Sequence, residues 1–231
     1  MNAETLLVKG INVLCENDKD FESLVAPRSE EIISLLERYK SEIELFNGAY
    51  GLVGTVDSNE LVTRHILDSL APLGIIHRLL GGGAAAAGRP KIADAGSGAG
   101  LPGVPLAIAM PNCDFTLIER MGRRAGFLCN TSAVLALSNI TIEEGELEKT
   151  QKGRFNLITF RAFKPLDPKL LKTLLNACAK GGVIAAYKGR LEKTEQEMAP
   201  LENACQWEAI PYIVPFLEEE RHLLIIRTCH E

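Results

Sequence analysis

The segment Ile92-Ala-Asp-Ala-Gly-Ser-Gly-Ala-Gly-Leu-Pro-Gly103 constrains this chain more than any other. An apolar run ends in Gly96, Gly98, Gly100 and Gly103, and a helix-compatible stretch follows. Glycines at this spacing allow a tight turn and a close approach of backbone to a bound nucleoside. Such a turn lies outside the carboxyl end of a first strand, where open α/β sheets bind ligands. Two cofactor classes compete for it, because Gly98, Gly100 and Gly103 also satisfy G-x-G-x-x-G, with Glu119 about 20 residues past the turn to accept a ribose hydroxyl. Asp94 tips the balance toward S-adenosylmethionine. A carboxylate two residues before the first glycine is expected to face the amino group of a methionine moiety, and it would repel a pyrophosphate. Pro102 and Pro105 stiffen the same turn.

The rest of the chain supports an α/β sheet. Strands are expected at Lys91 to Ala95, Asp114 to Glu119, Ile140 to Glu143, Phe155 to Phe160, Gly182 to Tyr187, Cys205 to Val214 and Arg221 to Thr228. Helices near Val104 to Met110, Gly122 to Leu137 and Pro168 to Ala179 separate the first five, as a parallel sheet requires. The last two strands follow each other closely and are expected to be antiparallel neighbours at the sheet's end, an arrangement usual in methyltransferases and unusual in dehydrogenases. Before the sheet, apolar residues recur at helical spacing from Ser29 to Phe46, and a second helix is expected from Ser58 to about Leu70. The Gly/Ala-rich stretch 81–90 reads as a linker. The expected organisation is an N-terminal helical segment over 1–80, that linker, and a Rossmann-like methyltransferase domain over 91–231 with a seven-stranded mixed sheet.

Composition narrows the function. No apolar run approaches the ~20 residues of a membrane span, and Met1 to Gly10 lacks the features of a secretory leader, so a cytoplasmic location is expected. The cysteines, at 15, 113, 129, 178, 205 and 229, form no Cys-x-x-Cys pair, and His65, His77, His222 and His230 show no zinc spacing, so no metal is expected. Cys129 and Cys178 read as buried core thiols rather than nucleophiles. A net charge of −5 argues against a protein that grips bare nucleic acid over its whole surface, yet leaves room for a local basic face.

Five pieces occur in one order: Arg64-His-Ile-Leu-Asp-Ser69, the Asp94 to Gly103 turn, Arg161-Ala-Phe163, Tyr187-Lys-Gly189 and Glu220-Arg-His-Leu223. In these the chain resembles the GidB family, also called RsmG, which methylates guanine N7 in the decoding-region loop of bacterial 16S rRNA. The resemblance runs from about Ser29 to Arg227. It implies S-adenosylmethionine as cofactor, with contacts at Gly96, Leu101, Leu147, Glu148 and Arg161, to which the turn argument adds Asp94, Gly98 and Glu119. It implies 16S rRNA as partner, within an assembled or assembling small subunit, and the chain looks self-sufficient as a monomer. Arg64, Arg123, Lys164, Lys188 and Arg221 are candidates for RNA phosphate contact. The chain departs from the family at Gly51-Leu52-Val53, where Asn-Leu-Thr is usual, at Phe160, where a small residue is usual, and in the insertion from Gly81 to Gly88.

Guanine N7 carries a lone pair and no proton, so its methylation needs no general base and the enzyme's task is positioning. Arg161 is therefore expected to order the cofactor or a phosphate. Two other readings stay open on the residues alone: a methyltransferase acting on a small molecule or protein, and a nucleotide-binding or redox-sensing module that uses the same turn.

Overall fold

A computed structural model describes residues 2–81 and 88–228. Its centre is a seven-stranded sheet in the order β3-β2-β1-β4-β5-β7-β6. The strands are β1 (Lys91–Ala95), β2 (Asp114–Glu119), β3 (Ile140–Glu144), β4 (Phe155–Arg161), β5 (Cys178–Lys188), β6 (Cys205–Pro211) and β7 (His222–Thr228). β1 to β5 pair in parallel, and β7 lies antiparallel to both β5 and β6. The seven-stranded mixed sheet expected from the sequence is therefore present. β7, the last strand in the chain, sits inside the sheet and leaves β6 at the edge.

The inner strands are apolar on both faces because both faces are covered. Ile92, Leu157, Val183, Ala185, Leu223 and Ile225 point into one hydrophobic cluster, while their neighbours Ala93, Ile158, Ile184, Ala186, Leu224 and Ile226 point into a second. This alternation is the period of two dictated by the pleat. Helix α9 (Pro168–Ala177) packs into the second cluster through Leu170, Leu171 and Leu174. Helix α7 (Gly103–Ala109) and the N-terminal helices fill the first.

Those N-terminal helices are amphipathic. In α1 (Ala3–Asn17) the buried positions Leu7, Ile11 and Leu14 share a face, and the Asn2 side chain caps the start by accepting from the Thr5 amide at 2.9 Å. Asp18 caps α2 (Lys19–Val25) in the same way. In α3 (Ser29–Tyr50) the buried stripe is Ile32, Leu36, Tyr39 and Ile43. This helix runs one turn beyond its expected end and stops at Gly51, whose φ of 57° is the left-handed bend typical of a helix end. Neither α1 nor α2 was expected. Next come α4 (Ser58–Leu61), a wide-turned π segment over Val62–Leu67, then α5 (Asp68–Leu70) and α6 (Leu73–Leu79). The helix expected over this stretch is present, with its hydrogen-bond pattern altered at its centre. Residues 82–87 of the expected linker, together with Cys229 and His230, lie outside the described residues.

Three of the boundaries that differ from expectation are set by local geometry. Helix α8 (Gly122–Val134) stops before Leu137 because Ala136 adopts φ 54°, which turns the Leu137 amide back onto the Ser132 carbonyl. β5 starts at Cys178, earlier than expected, because Cys178 pairs with Phe155 ahead of a register shift. β6 ends at Pro211 rather than Val214, and Pro211 pairs with His222 at the last rung of the β6–β7 ladder.

Tyr39 ties the N-terminal helices to the glycine turn, its hydroxyl donating to the Ala99 carbonyl at 2.7 Å in a fully buried setting. Burial pushes the phenol well above its ordinary pKa, so it remains an O–H donor. Tyr39→Phe leaves that carbonyl without its partner and should lower stability by about 1–2 kcal/mol. Urea unfolding should show a lower midpoint at an unchanged slope.

Candidate functional site

The glycine turn follows β1 directly, and two carboxylates hold it. Gly96, Gly98 and Gly100 take φ values of 71°, 58° and 91°, a region closed to most side chains. The amides of Gly96 and Ser97 both donate to the Ile118 carbonyl, at 2.9 and 3.1 Å. The Glu119 carboxylate accepts from the Gly98 amide at 2.9 Å and from the Met121 amide at 2.8 Å. Asp94 accepts from the Gly103 amide at 3.0 Å, at the start of α7. Gly103 lies so close that an added Cβ would stand 2.7 Å from the same carboxylate oxygen.

This geometry gives Asp94 a part in shaping the turn itself. The side chain is fully buried, lines neither cavity described below, and is joined to the turn through the Gly103 amide. Its Oδ1 has no hydrogen-bond partner. Burial raises the Asp94 pKa to about 7, against the opposing effect of the Gly103 N–H.

Beyond the turn two cavities adjoin. The smaller, about 210 Å³, lies between Gly96, Glu119, Met121, Gly145, Leu147 and Glu148. The larger is an open cleft of about 1240 Å³ in which Gly96, Ser97, Gly98 and Leu101 form one wall. Both are lined by Gly96, Arg124, Ala162, Phe163 and Lys164. Ala162, just past β4, holds φ 48°, and the Phe163 ring then packs on Gly96 where a Cβ would otherwise stand. A left-handed non-glycine residue at this point is the kind of local strain that clusters at functional sites.

The cleft is basic although the chain is acidic. Arg64, Arg124, Arg161, Lys164, Lys188, Lys193 and Arg221 line it, against the carboxylates of Asp68 and Glu197. At its base Asp68, 4% exposed, accepts from Arg161 Nη1 at 3.0 Å, Arg221 Nε at 3.2 Å and the Tyr212 hydroxyl at 3.2 Å. The adjacent Ser69 carbonyl accepts from the buried Tyr187 hydroxyl at 2.7 Å. The π segment explains why these groups meet. Its wide turns disturb the usual ladder, and Arg161 Nη1 donates to the Arg64 carbonyl at 3.1 Å and to the His65 carbonyl at 3.4 Å. Arg161 Nη2 lies 3.1 Å from His65 Nδ1. A guanidinium only donates, so Nδ1 is the acceptor and the ring proton sits on Nε2. Burial, then the Arg161 charge, lowers the His65 pKa to about 4, which keeps this ring neutral at pH 7.

Comparison with known proteins shows the family of the chain. A family model described as rRNA small subunit methyltransferase G matches residues 32–224. The chain belongs to the GidB family. It is 37% identical over 244 residues to ribosomal RNA small subunit methyltransferase G of Treponema denticola, covering 96% of this chain and 93% of that protein. It is 40% identical over 202 residues to the protein of the same name in Treponema pallidum strain Nichols, covering 85% and 86%. Among solved structures, a CurJ carbon methyltransferase superposes with TM-score 0.60 over 90% of this chain and 69% of that one, at 10% identity. A methyltransferase from Methanococcus maripaludis gives TM-score 0.57 over 83% and 93%, at 14% identity. These two likenesses concern the fold alone.

The cofactor residues expected from the sequence divide by location. Gly96, Gly98 and Leu101 line the cleft, Glu119, Leu147 and Glu148 line the smaller cavity, and Arg161 lies at the cleft's base. Of the RNA candidates, Arg64, Lys164, Lys188 and Arg221 line the cleft. Arg123 does not; it is exposed on α8 outside both cavities, and its neighbour Arg124 takes the inward position. A signal for this was present, since Arg124 shares a helical stripe with the buried Leu128 and Thr131. Asp68 and His65 belong to the hexapeptide that carried the resemblance, yet neither was given a role. Cys178 is buried as expected, whereas Cys129 is exposed, contrary to expectation.

Two outcomes follow. A carboxyl whose pKa is raised on folding adds stability at acid pH and loses it as pH climbs through the folded value. Asp94 should therefore cost the free protein on the order of a few kcal/mol between about pH 4 and pH 7. Denaturant unfolding at several pH values should show Asp94→Asn escaping that loss, so that the gap between variant and parent widens as pH rises. Asp68→Ala, by contrast, strands two guanidiniums and should destabilise by about 3–5 kcal/mol. A smaller thermal shift than Tyr39→Phe would refute that central role.

Proposed function

We propose that this chain transfers a methyl group from S-adenosylmethionine to N7 of a guanine in the 16S rRNA of the small ribosomal subunit. The observation that carries the reading is the pair of adjoining cavities. A nucleoside-sized space behind the glycine turn meets, past one aromatic ring, a cation-rich cleft in a chain of net charge −5. The names of the relatives point the same way.

The residues present fit the cofactor. Gly96, Gly98 and Leu101 offer a wall that backbone can approach closely, and Glu119, Leu147 and Glu148 offer an apolar and acceptor-bearing site for an adenosine. Asp94 serves by holding the turn in shape. When bound, S-adenosylmethionine supplies a methyl group on a positively charged sulfur.

On this reading no side chain removes a proton, because N7 has none to lose. Alignment of nucleophile and electrophile contributes ~7 kcal/mol or more. Positive charge moves onto the base as the methyl transfers, so an uncompensated cation pressed against N7 would oppose the step. Asp68, which also pairs Arg221, offsets part of the Arg161 charge and holds it at the cleft's base, where it is left to orient the cofactor. Residues 91–231 carry the cofactor site and residues 1–80 complete the cleft through Leu52, Arg64 and Asp68. The protein acts as a monomer in the cytoplasm, on an assembled or assembling particle, since an acidic chain gains little from bare RNA beyond the cleft. No helix of the described residues is long and apolar enough to cross a membrane.

Mass mapping of rRNA nucleosides from cells with and without the protein tests donor, substrate and site together. 7-Methylguanosine should disappear from one 16S fragment when the protein is absent and return when it is restored. An unchanged nucleoside map would refute the reading, as would equilibrium dialysis in which NAD binds and S-adenosylmethionine does not.

A further inference from the structure

The cleft cations are not equivalent. Arg64 is paired with Glu60 at 3.1 Å and with Glu219, Arg161 and Arg221 share Asp68, and Lys188 meets Glu197 at 2.6 Å. To take up a phosphate, Arg64 or Lys188 would have to share or abandon its own carboxylate, and Arg161 and Arg221 would have to leave the buried one they share, so each is less available than an unpaired cation. Arg124, Lys164 and Lys193 have no carboxylate within ion-pair distance among the described residues. Arg124 is held by one hydrogen bond, Nη2 to the Gly51 carbonyl at 2.8 Å, and its Nε is buried without a partner. Lys164 stands 5.4 Å from the centre of the Phe163 ring, a contact that leaves its charge uncompensated. Lys193 lies on α10 (Leu191–Met198) and is exposed.

We infer that Arg124, Lys164 and Lys193 hold the phosphates of the RNA strand, whereas Arg64, Lys188 and Arg221 shape the cleft through their internal ion pairs. The inference rests on the RNA-methylating function proposed above and changes which residues perform recognition. Of the five cations that the sequence nominates for phosphate contact, it keeps only Lys164. Uncompensated charge is what a polyanion responds to, because each phosphate neutralised releases condensed counterions. The three cations come from separate elements, the start of α8, the segment after β4, and α10, so they surround the cleft instead of marking one helix face.

The test is the salt dependence of binding to small ribosomal subunits reconstituted on unmodified 16S rRNA, read between roughly 50 and 200 mM KCl. Each of Lys164→Gln, Lys193→Gln and Arg124→Gln should reduce the slope of log affinity against log salt by about 0.7, and the triple variant by about 2. Across that salt range the affinity of the triple variant should fall by a factor roughly twentyfold smaller than that of the parent. Arg123→Gln, exposed outside both cavities, should leave the slope unchanged. Retention of the parental slope by the triple variant overturns the inference, as does a fall in Arg123→Gln equal to that in Lys193→Gln. For Arg124, a changed S-adenosylmethionine affinity with an unchanged slope removes it from the set. Methyl transfer by the parent protein to the same particles separates the two readings. Transfer with unaltered slopes defeats only the phosphate assignment. Altered slopes without transfer defeat only the proposed reaction, and absence of binding defeats both.

Discussion

The base of the cleft depends on one buried carboxylate. Asp68 meets Arg161 from the end of β4, Arg221 from just before β7 and Tyr212 from just after β6, while its own backbone belongs to the N-terminal helices. Removing charges from water is costly, and a buried pair returns that cost only when its remaining hydrogen-bonding groups are satisfied. Here they are. Arg161 also caps carbonyls of the π segment, and the neighbouring Ser69 is fastened from both sides, its hydroxyl to the His65 carbonyl at 2.6 Å and its carbonyl to Tyr187. The hexapeptide Arg64 to Ser69 is thus a fastening device. It locks helices that precede the sheet onto strand ends far along the chain, and the floor of the cleft is the place where they meet.

A second fastening acts on the glycine turn, and it divides labour between two acids. Glu119 spans the amides of Gly98 and Met121, binding the turn to the loop after β2, while Asp94 anchors the start of α7. Tyr39 reaches the same turn from the N-terminal helices. The ligand wall is therefore held from three directions before any ligand arrives, which is the preorganisation that a positioning enzyme requires.

How much of this was legible beforehand follows from the range of the forces concerned. The strands, the turn and the family were readable because alternation, glycine spacing and short motifs are local. Leu223 to Ile226 already spells a strand covered on both faces. The side to which a carboxylate turns is not local. Asp94 looked ready to meet a ligand, but the approach of Gly103 gave it a nearer donor. Arg123 and Arg124 differ by one residue, and on a helix that step of about 100° separates solvent from cleft. The pairing state of each arginine was less accessible still, since Glu219 lies 155 positions from Arg64 and no pattern near either residue announces the other.

The bend at Gly51 bears on how the chain tolerates substitution there. Glycine and asparagine are the two residues that most readily adopt the left-handed conformation ending α3, so an exchange between them at this position keeps the path of the chain. What Arg124 grasps there is a main-chain oxygen, a group that every amino acid carries. The anchorage is thereby insulated from the identity of the residue that provides it. Drift at this position can remove side-chain contacts from the rim without releasing the arginine that the rim holds in place.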